Sequence, residues 1–322
     1  MSDHDIQNCI HCGICRDNCA FLSKYDIEIG DTKRLKELAY HCFLCGNCTT
    51  VCPVHIDGRQ VVLDLRRERV AYGERQAVEK KYRGLIREKR DYIYRNWKHA
   101  TGGSVFFPGC NFPSMYPGTT ALLERILKEQ AGIGTVHDCC GKPIAELGLE
   151  DEERRITEGI SSRLRSAGVS QVIVLCPNCY YYLRDRLDIP VVSIYDKLHE
   201  LGLGAKISGG DKVFMPCPDR ESGTILSQIE EYFTEGPYRR ISGVQCCGLG
   251  GSAGVREPEL AGSIASELTS EDGLRVYCAS CAGRLKRNGT PGVRHILTEI
   301  LGTDEDPDTG KSAINRVLTK FR

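Results

Sequence analysis

From Arg59 to about Tyr72, Val62, Leu65, Arg66 and Arg69-Val70 fall at spacings compatible with one helical face. A second stretch, roughly Glu74 to Trp97, is dense in Arg, Lys and Glu, and its Tyr82, Leu85, Ile86, Tyr92 and Ile93 recur at helical intervals. The pattern predicts a helical connector whose basic residues form a solvated face. A docking surface for an acidic partner is the other reading of those residues. Thr101-Gly102-Gly103-Ser104 reads as the loop that ends the connector.

Beyond the loop, short apolar runs alternate with amphipathic stretches. Val105 to Cys110 matches Val213 to Cys217, each a strand delivering a cysteine at its end. Val172 to Cys179 matches Leu274 to Cys281 in the same way, and each half closes with a proline and an apolar segment, Pro190 to Leu201 and Pro291 to Leu301. Helices are expected at Thr119–Lys128, Glu152–Ala167, Thr224–Phe233 and Pro258–Leu268. Strands alternating with helices predict a parallel or mostly parallel sheet in each half. A period near one hundred residues indicates a duplicated α/β unit. After an acidic linker at Asp304–Asp308, Ile314, Val317, Leu318 and Phe321 form one apolar helical stripe. It packs on its own domain or docks a partner helix, and periodicity does not choose.

Lys+Arg and Asp+Glu balance at 43 each, so charge points to neither nucleic acid nor an anionic membrane. No apolar window is long enough for a membrane span, and the first eight residues lack the basic and apolar regions of a secretory signal. A reducing cytoplasm is the expected setting, with any peripheral membrane association supplied by a partner.

The chain has 18 cysteines, and all fall into groups. Cys9, Cys12, Cys15 and Cys19 form one C-x2-C-x2-C-x3-C run; Cys42, Cys45, Cys48 and Cys52 form another. Both match the bacterial ferredoxin pattern, in which three thiolates come from one loop and the fourth cysteine ligates the other cluster. The expected pairing is therefore Cys9, Cys12, Cys15 and Cys52 for one cubane, and Cys42, Cys45, Cys48 and Cys19 for the other. Zinc sites instead draw on two separated pairs. Gly13 and Gly46 permit the tight turn. His11, His41 and His55 read as surface or packed histidines, because four thiolates already complete each cubane.

The other ten cysteines repeat a lone Cys, a Cys-Cys-Gly and a C-x-x-C: Cys110, Cys139, Cys140, Cys176 and Cys179, then Cys217, Cys246, Cys247, Cys278 and Cys281. Because sites gather at the carboxyl ends of parallel strands, five thiols per half are expected at one sheet edge. Five exceed what a cubane needs, so either one is spare or the cluster is of another type. Gly248 to Gly254 lacks the spacing of a nucleotide loop and reads as a close backbone approach to a cluster, with amides bonding its sulfur. Of Tyr180, Tyr181 and Tyr182, at least two read as core or helix surface rather than as the lining of a substrate cleft.

At these residues the chain resembles the cysteine-rich CCG-domain proteins typified by heterodisulfide reductase. Residues 1–100 look like its ferredoxin-like C subunit and residues 104–301 like its B subunit, fused as in the D-type subunit. The organisation so implied is a mostly helical dicluster [4Fe-4S] domain with connector (1–100), a first and a second CCG repeat of α/β type (104–205 and 210–302), and a linker with a C-terminal helix (303–322). The resemblance implies that each five-cysteine set binds a noncubane [4Fe-4S] cluster, with a disulfide such as coenzyme M–S–S–coenzyme B held between the two. It further implies an oxidoreductase of anaerobic metabolism with a flavoprotein or cytochrome b partner. Two departures stand out: the chain is short for a D-type subunit, and Cys278-Ala279-Ser280-Cys281 replaces the usual Cys-Pro-x-Cys. Relatives that serve glycolate, lactate or glycerol-3-phosphate oxidation suggest the alternative, an electron-relay subunit of a flavin-dependent dehydrogenase feeding a quinone or cytochrome.

Overall fold

The computed structural model describes residues 6–234, 238–241, 243–271 and 273–322. Four short helices, Ile14–Asp17, Ala20–Tyr25, Thr32–Glu37 and Asn47–Thr50, carry the two N-terminal cysteine runs. Helices of four to six residues do not stand alone in water. These persist because Phe21, Leu22, Leu35, Ala39, Val61 and Val62 bury together against the Gly58–Arg69 helix. Asp57 caps that helix, accepting a hydrogen bond from the Gln60 amide at 3.1 Å.

The connector is helical as expected as far as Lys89, through a π-helical segment at Val70–Glu74 and helices Arg75–Lys81 and Arg83–Lys89. The helical run does not reach Trp97. Asn96–His99 is instead strand β1, paired antiparallel with β3 (Gly134–His137). Distant partners decide this: the Asn96 amide donates to Thr319 O and Arg322 O, and Trp97 Nε1 donates to Asp138 Oδ2 at 2.8 Å. The basic face of the connector is paired in part, while Lys80, Lys81, Arg83 and Arg87 are exposed. Arg75 meets Asp151 at 2.9 Å, and Arg90 meets both Glu79 and Glu152.

The first sheet also contains β2 (Ser104–Phe107), β4 (Gln171–Val174) and β5 (Val191–Ser193), in the order β1-β3-β2-β4-β5. Apart from β1 all its neighbours are parallel. The second sheet holds β6 (Lys212–Phe214), β7 (Arg239–Arg240), β8 (Arg275–Val276) and β9 (Arg294–His295), in the order β7-β6-β8-β9 and parallel throughout. With β1 set aside, the two strand orders correspond. Helices lie at Pro117–Ala131, Glu150–Ser166, Thr224–Glu230 and Pro258–Ser266, where the sequence places them. One core runs through both sheets, joining Phe106, Phe107 and Ile173 to Val213, Phe214 and Val276. Strands covered on both faces need such unbroken apolar runs.

A single side chain fastens the N-terminal layer to both sheets. Arg66 is wholly buried, and its guanidinium donates to Ala39 O (3.0 Å), Cys42 O (2.7 Å), Glu146 O (2.6 Å) and Gly251 O (2.9 Å). Gly250 and Gly251 lie so close to the Cys42–Phe43 backbone that a Cβ would come within 2.4 Å of Phe43 O or 2.5 Å of Cys42 O, respectively. A second fastening is Glu257, 2% exposed, which contacts Lys24 Nζ, Tyr25 Oη and His41 Nδ1 at 2.6 Å each. Burial opposes its charge, yet these hydrogen bonds outweigh burial and hold its pKa down at about 2.

The C-terminal helix, Ser312–Thr319, inverts the simplest reading of its stripe. Asn315 and Thr319 are buried, whereas Ile314, Val317, Leu318 and Phe321 are exposed. Its polar side seats it: Asn315 Nδ2 donates to Ser114 O and Asp308 Oδ2. Polar partners inside the domain outcompete the apolar face.

Arg66→Met should lower stability by at least about 2 kcal/mol, since a buried acceptor left without a donor costs about 1–3 kcal/mol. Arg66→Lys should recover little, because an ammonium cannot reproduce the planar fork. A urea midpoint unchanged in Arg66→Met would contradict this role. For Glu257, a folded pKa near 2 against an ordinary 4.5 means that its contribution is complete above pH 4.5 and fades as pH falls towards 2. The stability deficit of Glu257→Gln should shrink over that range, as measured by urea unfolding at several pH values.

Candidate metal centres

The two N-terminal loops share a backbone path. His11 and Gly13 in the first, and Leu44 and Gly46 in the second, all have positive φ, near 49°, 78°, 50° and 72°. Left-handed residues in alternate positions curl each loop so that its three thiols face one point. The first loop encloses a cavity lined by Cys9, Cys12, Cys15 and Cys52, with Cys48, Glu28, Ile29 and Ile56 around them. A second cavity is lined by Cys42, Cys45, Cys48 and Cys19, with Phe21, Phe43 and Gln245. Each cavity is thus lined by thiols of both runs.

The donor sets fit a cationic cluster. All 18 cysteines are free thiols. Ionising them together is unfavourable in the bare protein: the Cys48 pKa is pushed well up, first by burial and then by Cys42, Cys45, Cys19 and Cys15. Bound metal reverses that balance. Space is shaped as tightly as charge. A Cβ on Gly58 would sit 2.5 Å from Cys48 Sγ, and one on Gly30 would sit 2.6 Å from Cys9 Sγ. Amides point at sulfur here too, Ile29 N to Cys15 Sγ at 3.5 Å and Ile56 N to Cys52 Sγ at 3.4 Å.

Of the histidines, His41 is held by Glu257, while His11 Nδ1 lies 3.4 Å from Glu28 Oε2. Cys9, His11 and Glu28 bring possible ligand atoms within 4.8 Å of one another, a grouping that the sequence did not reveal. Glu28 reaches the site through folding alone, with no motif to mark it.

In the α/β part, both lone cysteines and both C-x-x-C pairs follow strands, and their thiols meet. Cys110 contacts Cys139, Cys139 contacts Cys140, Cys140 contacts Cys179, and Cys179 contacts Cys176. Hydrogen bonds from Cys139 and Cys179 draw the Cys140 pKa down to about 5. In the second set Cys281 hydrogen-bonds both Cys247 and Cys278, whereas Cys246 and Cys217 meet the other thiols of the set only electrostatically. The two sets touch each other: Cys176 hydrogen-bonds Cys278. Beside that junction Asn111 Nδ2 donates to Ser280 Oγ at 2.6 Å, and Asn178 Nδ2 approaches Cys278 Sγ at 3.8 Å.

The second set also meets the N-terminal layer. Cys246 hydrogen-bonds Cys45, which lowers the Cys45 pKa to about 6. Cys217 feels Cys45 and Cys247 electrostatically. Arg220 stands between the layers, donating to Cys45 O (3.3 Å) and Gln245 O (2.6 Å). Gln245 accepts from Ala20 N at 2.8 Å and points its amide at Cys45 Sγ. The glycine segment 248–254 is accounted for by the same contact. Gly248 N donates to Cys246 Sγ at 3.2 Å, and Gly250 and Gly251 approach the backbone of the second cysteine loop. Tyr180 and Tyr182 are buried, and Tyr181 bonds Asp219 and Ser222 across the halves. A row of thiols therefore runs from exposed Cys12 to Cys110.

Residues 5–56 match the 4Fe-4S dicluster domain and residues 104–184 the cysteine-rich CCG domain. The chain thus joins matches to these two domain families, and its homologues include components of heterodisulfide reductases. It is 25% identical over 309 residues to an uncharacterized iron-sulfur protein of Methanococcus maripaludis, an alignment that covers 81% of this chain and 59% of that protein. The chain thus spans less than two thirds of that relative. It is 25% identical to the B component of a fumarate reductase (CoM/CoB) of Methanothermobacter marburgensis, over 87% of this chain and 68% of that one. To the D component of the dihydromethanophenazine:CoB–CoM heterodisulfide reductase of Methanosarcina barkeri it is 22% identical, over 87% of this chain and 79% of the other. A crystal structure of a Helicobacter pylori protein shares the fold with a TM-score of 0.55 and 9% identity, covering 91% of this chain and 68% of that one. No helix among the described residues is long and apolar enough to cross a membrane.

Gly58→Ala should cost the protein about four iron atoms, one [4Fe-4S] cluster's worth, because the added methyl meets Cys48 Sγ. Iron analysis and circular dichroism of anaerobic material check this. Full iron in a normally folded variant would refute the reading of this cradle.

Proposed function

We propose that this chain is the disulfide-reducing iron–sulfur subunit of a heterodisulfide reductase-like complex. Cys9, Cys12, Cys15 and Cys52 would hold one [4Fe-4S] cubane, and Cys42, Cys45, Cys48 and Cys19 the other. Cys110, Cys139, Cys140, Cys176 and Cys179 would hold one noncubane cluster, and Cys217, Cys246, Cys247, Cys278 and Cys281 its counterpart in a duplicate of the same unit. When bound, such clusters supply one-electron transfer and iron that accepts a soft sulfur ligand.

The observation that carries this reading is the junction of the two five-cysteine sets at Cys176 and Cys278. A small disulfide held there meets one set with each sulfur. Its S–S bond breaks on receipt of two electrons, and two protons from solvent complete the two thiols. The electrons come from a partner redox subunit, a flavoprotein or a cytochrome b. Cys12 is the exposed thiol of the first loop and marks the face nearest that donor. Asn111, Ser280 and Asn178 line the junction with neutral hydrogen-bonding groups that orient a substrate without adding charge. The names of the relatives, two of which mention coenzymes M and B, support a thiol–disulfide couple.

Anaerobically purified protein should contain about sixteen iron atoms per chain, four for each of four clusters. Cys110→Ala or Cys217→Ala should abolish disulfide reduction with a chemical electron donor, while signals of the two cubanes persist in electron paramagnetic resonance. Full disulfide reductase activity in either variant would overturn the proposal. Co-purification with a hydroxy-acid oxidase, without disulfide reduction, would instead favour the electron-relay alternative.

A further inference from the structure

Two cations stand at the Cys110 end of the thiol row. Lys89 closes the Arg83–Lys89 helix and is 6% exposed. Its Nζ lies 2.7 Å from Glu88 Oε1. The buried Tyr92 ring sits 5.1 Å from the same atom. Arg316 arrives from the C-terminal helix. It donates to Glu88 Oε1 at 2.7 Å, to Asn111 Oδ1 at 3.2 Å and to Ser114 Oγ at 3.4 Å. Asn111 directly follows Cys110, so this contact brings a guanidinium from the far end of the chain to the site's edge.

The charges around the site do not cancel. Lys89 and Arg316 share the single carboxylate of Glu88, while Arg95 and Asp138, beside Cys139, pair one to one at 2.8 Å. One positive charge is left over in a poorly hydrated place. Both cations lie within electrostatic reach of the site, Lys89 of Cys110 and Cys139 and Arg316 of Cys110.

We infer that Lys89 and Arg316 set the reduction potential of the first five-cysteine site, holding it higher than the thiolates alone would. The inference rests on the reading that Cys110, Cys139, Cys140, Cys176 and Cys179 hold a cluster. An added electron makes such a site more negative, and fixed cations in low dielectric stabilise that state without reorganising. Because Arg316 belongs to the C-terminal helix, the seating of that helix is coupled to the ease with which the site is reduced.

The test is a redox titration of anaerobic full-length protein, monitored by electron paramagnetic resonance, with iron content measured in parallel. Cys110→Ala identifies the signal of the site. Lys89→Met and Arg316→Met should each make reduction of that signal at least tenfold less favourable, a fall of about 59 mV for a one-electron couple. Arg316→Lys should keep the wild-type value. Glu88→Gln should move the same signal upward, an opposite sign that general loosening of the fold would not produce. A signal that ignores all three charge changes, or falls in Glu88→Gln as it does in Lys89→Met, overturns the inference alone. Wild-type protein with iron at the other sites but none at this one sinks the inference together with the reading beneath it. If Lys89→Met loses iron, Arg316→Met and Glu88→Gln decide.

Discussion

The arrangement depends on one buried guanidinium. Arg66 reaches four carbonyl oxygens in three parts of the molecule: the N-terminal layer at Ala39 and Cys42, the first α/β half at Glu146, and the second at Gly251. Burial disfavours its charge and lowers its pKa, and it is tolerated because each of its three nitrogens finds a carbonyl acceptor. Each carbonyl in turn lies in or beside a segment that carries cysteines. A lysine has neither the reach nor the planarity to span them. What this residue maintains is the spacing between the second cysteine loop and the Cys246–Cys247 segment, and hence the meeting of Cys45 with Cys246.

That spacing matters because electron transfer falls away with distance, whereas a thiol row held by close backbone contact cannot drift. Gly250 and Gly251 let two backbones approach where any side chain would wedge them apart. Glu257 adds a charged clamp, and Arg220 with Gln245 fills the interface with hydrogen bonds aimed at Cys45 or its carbonyl. The interface between the N-terminal layer and the sheets adds these directional polar contacts to an apolar patch in which Phe43 packs with Ala253, Ala261 and Ile264. Polar contacts of this kind favour one relative position over its neighbours more sharply than apolar burial does.

The two α/β halves are alike in strand order but not in surroundings. The second is pressed against the N-terminal layer; the first is flanked by the connector and the C-terminal helix. Lys89, Glu88 and Arg316 sit only at the first. Two similar sets of sulfur donors thus experience different fields, which is how one sequence pattern used twice can acquire two reduction potentials.

Much of this was legible in the residues. The ferredoxin-type runs, the strands ending in cysteine, the helices between them and the parallel sheets all follow from periodicity and spacing, because these are local properties of the chain. Failures came where distant partners overrode local pattern. Asn96–His99 became a strand because Thr319, Arg322 and Asp138 claim its side chains, and the C-terminal helix buried its polar side because Asn315 and Arg316 found partners in the domain. Arg66 was marked only by its place on a helical face, and Arg220, Lys89 and Glu28 carried no signal at all, since a charged residue in a basic or mixed stretch looks solvated until folding encloses it. Sequence alone determined which atoms can bind metal, because thiol identity and loop spacing are written in the chain. Tertiary structure alone decided which thiols meet and which charges surround them, because those depend on contacts between distant parts of the chain that no local pattern encodes.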